Sequence, residues 1–167
     1  MKRIFVICAL AAVLAPVAAR SQTSATFGAG PHGYDYMIGT WSCVNSMPPS
    51  AMGAPAELTE TVSKSGGVLL FHSTGKNDDV SVYNVYVPKK KMWLSPFIVS
   101  DGTYGSESTT QSGKTVVWTG SFYEPGSGKM LPTRDTYTNE ATKYVDLGED
   151  QIGGTWKAEY RLTCTKT

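Results

Sequence analysis

Short stretches of β-branched and aromatic residues recur along the chain at intervals of roughly ten residues, and clusters of Gly, Pro, Asp, Asn and Ser separate them. That rhythm is typical of an all-β sandwich or barrel. Outside one predicted helical turn at Tyr34–Ile38, no long apolar stripe has a helical period. The pattern predicts ten strands, at Gly39–Asn45, Glu57–Lys64, Val68–Gly75, Val80–Val87, Met92–Ser100, Thr103–Thr110, Thr115–Tyr123, Leu131–Thr138, Thr142–Leu147 and Thr155–Thr165.

The N-terminal stretch has the pattern of a secretory signal peptide over residues 1–19. A positive head of Lys2 and Arg3 precedes the apolar run Ile4–Ala15. Small residues then suit a cut after Ala19, with nearby alternatives at residues 21 and 25. The apolar run is too short to span a bilayer, and no second run of about 18 apolar residues follows it. We therefore expect an exported protein, periplasmic or secreted, with no membrane span.

The rest of the chain has the size of one domain, because a cut after Ala19 leaves 148 residues. Residues 20–33 are small, polar and rich in Gly, which predicts a flexible leader before a single domain at residues 34–167. The cut also leaves 13 basic residues against 14 acidic residues. A chain so close to neutral offers no basic face for a nucleic acid.

Two cysteines remain after the signal, Cys43 in the first predicted strand and Cys164 in the last. An even pair in an exported protein predicts a disulfide, with two free buried thiols as the alternative. The bond would make the first and last strands neighbours. Because the connections between successive strands are short, these strands should pair as antiparallel hairpins. The sequence therefore predicts a closed antiparallel up-and-down barrel of about eight to ten strands.

The alternation of side chains indicates which residues face the barrel interior. It groups Trp156, Tyr160 and Cys164 on one face of the last strand, and Trp41 with Cys43 on one face of the first. Both faces agree with a disulfide on the inner wall. An unrecognised β-bulge would reverse this assignment for part of a strand.

The start of the first strand, Gly39-Thr40-Trp41, resembles the Gly-x-Trp start of lipocalins and other calycin-type barrels, in which the Trp plugs the closed end. The wider pattern resembles a family of bacterial exported β-barrel domains of unknown function. This resemblance covers Tyr34 to the end of the chain and implies a barrel of eight to ten strands with room for a pocket. The segments that carry it are Tyr83–Tyr86 before a Lys-rich turn, Trp93 before a Gly-containing strand, Gly113–Gly120, and Pro125–Lys129 before Arg134.

Haem-binding barrels of the nitrobindin type are similar in outline. Their haem-ligating His near the C-terminus has no match here, because no His follows His72. We therefore predict no cofactor. The sequence also has no pattern of metal ligands, since Asp146, Glu149 and Asp150 lack the alternating oxygen ligands of a calcium loop and are expected in a solvated hairpin.

Alternation places His72 with Val68 and Leu70 on the inner face of its strand. There it could bind a polar group of a ligand, and a hydrogen-bonded wall residue is the alternative. An enzyme using His72 and a carboxylate is the most remote interpretation, because the chain has no Gly-x-Ser-x-Gly elbow. Five acidic residues could in principle supply a catalytic carboxylate pair, but each falls at a strand end or an outward position and is expected on the solvated surface. These residues are Asp101, Glu107, Asp135, Glu140 and Glu159.

Aromatic side chains are the strongest indication of a binding site. They could line one apolar cavity, and the same side chains could instead fill the barrel as its core. Arg134 is expected either to receive a ligand carboxylate in the pocket or to point to solvent. The aromatic residues in question are Trp93, Trp118, Phe122, Trp156 and Tyr160.

The connection Met47–Pro55 is long, apolar and free of charge, which is unusual for a surface loop. Binding function is often found in loops, and methionines adapt to varied ligands. We expect this loop to cover the barrel mouth and to bring Met47 and Met52 to the ligand, with a plain connector as the alternative.

These observations predict a protein that binds a small, largely apolar ligand inside the barrel. The alternative is an envelope interaction or structural module with a filled core and no ligand. Interior volume discriminates between the two.

Overall fold

The computed structural model describes residues 27–47, 57–76 and 79–167. Short 3-10 turns lie at Gly30–His32, Asp35–Met37 and Pro88–Lys90. The strands are β1 (Gly39–Asn45), β2 (Glu57–Ser65), β3 (Val68–Gly75), β4 (Asp79–Val87), β5 (Met92–Val99), β6 (Tyr104–Thr109), β7 (Thr115–Glu124), β8 (Lys129–Asn139), β9 (Lys143–Ile152) and β10 (Thr155–Lys166).

The strands form one closed barrel in which each strand pairs antiparallel with its neighbours in sequence, and β1 pairs with β10. This confirms the predicted all-β, up-and-down architecture. Short turns produce this order because an antiparallel hairpin is the only pairing that a few residues can connect.

Most strand ends agree with the sequence pattern within two residues, and β9 is the exception. It runs to Ile152, five residues beyond the predicted end at Leu147. A tight turn at Gly153 and Gly154, whose φ angles are 61° and 82°, connects it to β10. Only glycine adopts such angles without strain, so the hairpin closes there and the acidic segment before it pairs as a strand.

A disulfide joins the two terminal strands of the barrel. Cys43 of β1 lies directly opposite Cys164 of β10, and both are buried. The bond links residues 121 positions apart. The predicted pairing is therefore confirmed.

The N-terminal segment 27–38 closes one end of the barrel, which we call the plugged end. Tyr34 and Met37 are buried in the core cluster. Trp93 donates a hydrogen bond of 2.9 Å from its indole nitrogen to the carbonyl of Gly28, and Trp41 donates one of 2.7 Å to the carbonyl of Met37. Trp41 is completely buried there.

Packing begins earlier than the sequence pattern indicates. Phe27 is 4% exposed, and its carbonyl accepts a hydrogen bond from the backbone N–H of Gly113. Residues 27–33, which fall in the predicted leader, thus belong to the packed plug. The predicted signal peptide and residues 20–26 lie outside the described part of the chain. Over the ranges that the structure describes, no helix has the length and apolar character needed to cross a membrane.

Candidate functional site

The barrel encloses a cavity of about 240 Å³. Tyr34 and Met37 of the plug form its floor, and Asp101 and Thr103 line it near the opposite end, which we call the far end. The side chains between them come from the inward positions of the strands.

One side of the cavity is apolar. We call these residues the apolar wall, and they come from three successive strands. They are Phe71 of β3, Val80 and Val82 of β4, and Phe97 and Val99 of β5.

The other side is acidic. We call Glu107 of β6, Asp135 of β8, and Asp146 and Asp150 of β9 the acidic wall. The exposed fractions of Glu107, Asp146 and Asp150 are 4–5%. None of the described residues that line the cavity is Lys, Arg or His. The interior thus holds several carboxyl groups with no basic side chain beside them.

A β-bulge in β10 sets how β9 pairs with the buried end of β10. From the turn, Ile152 pairs with Thr155 and the register continues to Glu149 opposite Ala158. One residue is then skipped, so that Tyr160 pairs with Gly148 and Cys164 pairs with Tyr144. Residues that pair across antiparallel strands share a face, so the pairing of Tyr144 with buried Cys164 makes Tyr144, Asp146, Gly148 and Asp150 the inward residues of β9. The bulge reverses the faces of β10 itself, so that the residues before it, Trp156 and Ala158, lie on the outer face.

Tyrosines inside the barrel donate to the buried carboxyl groups. Tyr160 donates a hydrogen bond of 2.9 Å to Oδ1 of Asp135. Tyr144 donates one of 2.7 Å to Oε1 of Glu60, whose other oxygen accepts a hydrogen bond from Ser73. Burial raises the pKa of each tyrosine well above its usual value, so both remain hydrogen-bond donors at neutral pH.

Burial also raises the pKa values of the acidic wall. The pKa of Glu107 rises to about 10, first because it is buried and then because Asp135 and Asp146 lie close to it. Burial raises the pKa values of Asp135 and Asp150 to about 6 each and that of Asp146 well above its usual range. Asp135 and Asp150 therefore take up and release protons near pH 6, while Glu107 stays protonated at pH 7.

Several buried oxygens in the cavity have no hydrogen-bond partner. Besides the hydroxyl of Tyr34 in the floor, they are Oδ1 of Asn84, Oε1 of Glu107 and Oδ1 of Asp146. Asn84 belongs to β4 and is 8% exposed. An unpaired buried acceptor is costly, and each of these oxygens can accept a hydrogen bond from a group placed in the cavity.

The structure brings three of the aromatic residues selected from the sequence to the cavity. Trp118, Phe122 and Tyr160 line it. Trp93 is buried under the plug, where its ring lies 5.1 Å from that of Tyr34. Met47 lies just beyond β1 at the far end of the barrel, and Met52 falls outside the described residues together with the rest of the predicted lid.

The prediction that His72 faces inward is wrong. His72 is exposed, and its Nδ1 lies 3.4 Å from the hydroxyl of Ser81 on the outer face. Both alternating sets of β3 contain apolar residues, so the pattern alone did not decide between them. Leu69 and Phe71 occupy the core.

Trp156 and Arg134 also lie on the outer face. The bulge lies between Trp156 and Cys164, so the assignment that carried Trp156 inward is wrong. The guanidinium of Arg134 lies 4.4 Å from the centre of the Trp156 ring and donates two hydrogen bonds to Glu149, of 2.7 and 3.0 Å. These hydrogen bonds lower the pKa of Glu149. Arg134 was expected either to receive a ligand carboxylate in the pocket or to point to solvent, and in the structure it lies on the outer face.

The interpretation from sequence missed the acidic wall. Glu107, Asp135, Asp146 and Asp150 were expected at the surface, and all four line the cavity. For Asp146 and Asp150, the signal that could have identified them is the row Tyr144, Asp146, Gly148 and Asp150 at a spacing of two, in the register that the pairing of Tyr144 with Cys164 imposes. Glu140 is exposed, as expected.

No protein-family model matches this chain, and no curated protein matches it in sequence. Within the described residues, no group of three His, Cys, Asp or Glu side chains is arranged to hold a metal ion.

Proposed function

We propose that this protein is an exported, calycin-type carrier that holds a small molecule inside its barrel. The observation that carries the proposal is the cavity of about 240 Å³. The alternative is an envelope interaction module without a ligand, and it requires a filled core. Because the barrel contains a cavity, we favour the carrier. Export is supported by the Cys43–Cys164 disulfide, which persists in oxidising compartments.

The size of the cavity limits the ligand. A volume of about 240 Å³ lies just below the range of roughly 300–1,000 Å³ that is typical of pockets for drug-sized ligands. This suits a molecule of on the order of ten non-hydrogen atoms. Phe71, Val82 and Phe97 of the apolar wall offer contact to a largely apolar body, while polar groups on the opposite side fix its orientation.

Native mass spectrometry of the mature protein, purified from an exporting host, tests the proposal. We expect a mass above that of the oxidised chain, and we expect denaturation to release the extra mass as a small molecule. The mass of the bare oxidised chain would overturn the proposal in favour of the filled module.

A matched pair of variants locates the bound molecule. Val82 lines the cavity, whereas Val85, three residues further along β4, points to the outer face. We expect Val82→Phe to reduce the bound fraction and Val85→Phe to leave it unchanged. Equal occupancy in both variants would place the molecule outside the barrel.

A further inference from the structure

We propose, building on the carrier function above, that the cavity binds a small organic cation: a protonated amine attached to an apolar body, with its ammonium held at the acidic wall.

The first observation in support is that the cavity is lined by several carboxyl groups. Asp135 and Asp146 lie close enough for each to raise the pKa of Glu107, and Asp150 adds to the same effect. No basic side chain among the described lining residues neutralises them. Ionised carboxylates buried without a partner are unfavourable, so a cation in this position would be strongly stabilised. The other titratable groups that face or act on this cluster are Glu60, Asp101, Glu124, Tyr137, Tyr144, Glu159 and Tyr160.

The second observation, which does not depend on charge, is that buried oxygens around the cavity have no hydrogen-bond partner. Oδ1 of Asn84 lies on β4, away from the acidic wall, and has no partner although the residue is 92% buried. Oε1 of Glu107 and Oδ1 of Asp146 are unpartnered on the other side. The amide oxygen of Asn84 accepts, and each carboxyl group accepts at the oxygen that carries no proton. An ammonium group at the acidic wall has three N–H donors and no acceptor, so it can donate to carboxyl oxygens of Glu107 and Asp146, whereas Asn84 offers its acceptor to another part of the ligand.

The third observation is that aromatic rings line the cavity close to the strands that bear the carboxyl groups. Trp118 and Phe122 of β7 line the cavity, and β7 lies between β6 and β8, which bear Glu107 and Asp135. Aromatic faces attract organic cations, most strongly where water is excluded. The same strand region thus supplies both rings and carboxylates, and the apolar wall faces them from the other side.

Binding of a cation should release protons. Asp135 and Asp150, with pKa values of about 6, together hold about one proton at pH 6 in the empty barrel. An ammonium favours their ionised forms, so affinity should rise with pH through this range. A simple alkylamine stays charged throughout, because its pKa is close to that of Lys, about 10.4.

The experiment compares 2-phenylethylamine with 2-phenylethanol, which has nearly the same shape and no charge. Titration calorimetry on the mature protein at pH 8 should show the amine binding at least about tenfold tighter than the alcohol. Between pH 8 and pH 5 the amine affinity should fall about tenfold, and that of the alcohol should stay constant. Titration at pH 6 in two buffers of different ionisation enthalpy should show release of about one proton.

Variants assign the preference to the acidic wall. Asp135→Asn and Asp146→Asn keep the shape of the side chain and remove its ability to ionise, and should abolish the preference for amine while alcohol binding persists. Glu140→Gln removes one negative charge from an exposed position, and it should change neither the preference for the amine nor the binding of the alcohol. Persistence of alcohol binding also shows that the variants are folded.

Equal affinity for amine and alcohol would overturn the cation inference and leave the carrier function standing. Binding of neither probe would also overturn it, and the native mass measurement then decides the carrier function separately. A preference for the amine that survives both Asn variants would place the cation elsewhere and overturn the assignment to this wall.

Discussion

Tyr160 of β10 donates its hydrogen bond to Asp135 of β8 across the strand that separates them. Gly148 of β9 pairs with both residues, and a Cβ at this position would overlap the Tyr160 ring. The missing side chain is thus what allows a phenol on one strand to reach a carboxyl group two strands away. This row of three residues forms part of the acidic side of the cavity.

We expect Gly148→Ala to destabilise the barrel by about 1–3 kcal/mol, because the added methyl group displaces a buried ring. Urea unfolding of the wild type and the variant measures the difference in the free energy of unfolding. Gly126→Ala is the matched control, since nothing lies within 4 Å of a Cβ there and the substitution should be neutral or slightly stabilising. Equal stability of the two variants would contradict the close packing of Tyr160 on Gly148.

The empty barrel should become less stable as the pH rises above 4. The folded-state pKa values of Asp135 and Asp150 are raised to about 6, so the folded protein binds more protons than the unfolded chain between pH 4 and pH 6. Their contribution is complete below pH 4 and is lost as the pH rises through 6, at about 1.4 kcal/mol for each unit of pKa shift. Glu107, with a pKa of about 10, should extend the decline into the alkaline range.

Urea unfolding at pH 4, 6, 8 and 10 measures this slope in protein without bound ligand. The double variant Asp135→Asn with Asp150→Asn should flatten the curve between pH 4 and pH 6, and Glu140→Gln should not. A barrel whose stability increases between pH 4 and pH 8 would contradict the raised pKa values.

Loss of the disulfide should cost on the order of 2–5 kcal/mol, because the bond closes a loop of 121 residues in the unfolded chain. Cys43→Ser combined with Cys164→Ser measures this cost by urea unfolding. Both sulfurs are buried, so reductant should act on the wild type only under conditions that unfold it, and should not affect the double variant. Rapid reduction of the folded protein would show that the bond is accessible.

Arg134 and Asp135 are neighbours in sequence and should behave in opposite ways. Arg134→Ala removes a solvent-screened ion pair with Glu149 and a contact with Trp156, which should lower the stability only slightly and leave the affinity for 2-phenylethylamine unchanged. Asp135→Asn should abolish the preference for that amine over the alcohol. Weaker amine binding in Arg134→Ala would contradict the outward position of this residue. His72→Ala should likewise leave binding unchanged.

The framework of the barrel could be predicted from the sequence because it depends on local chemistry. Turn residues fixed the ends of the strands, and the pair Cys43 and Cys164 identified the strands that close the barrel. These signals do not depend on which face of a strand is buried.

The interior could not be predicted, for two physical reasons. The rule that apolar residues face inward fails where the interior is itself acidic, so Asp146 and Asp150 were expected in solvent. The bulge before Tyr160 then changed the register by one residue, and unshifted pairing would have placed Lys143 rather than Tyr144 opposite Cys164. A bulge of this kind leaves no turn residue to mark it.

The disulfide has a mechanical consequence for this barrel. The boundary between β1 and β10 is the one place where neighbouring strands have no turn to join them, so it is where a meander would unroll into an open sheet. Cys43 and Cys164 make that boundary covalent. While the bond is intact, the barrel can breathe at the ends of its strands but cannot expose two unpaired strand edges, and so cannot offer the template on which sheets aggregate.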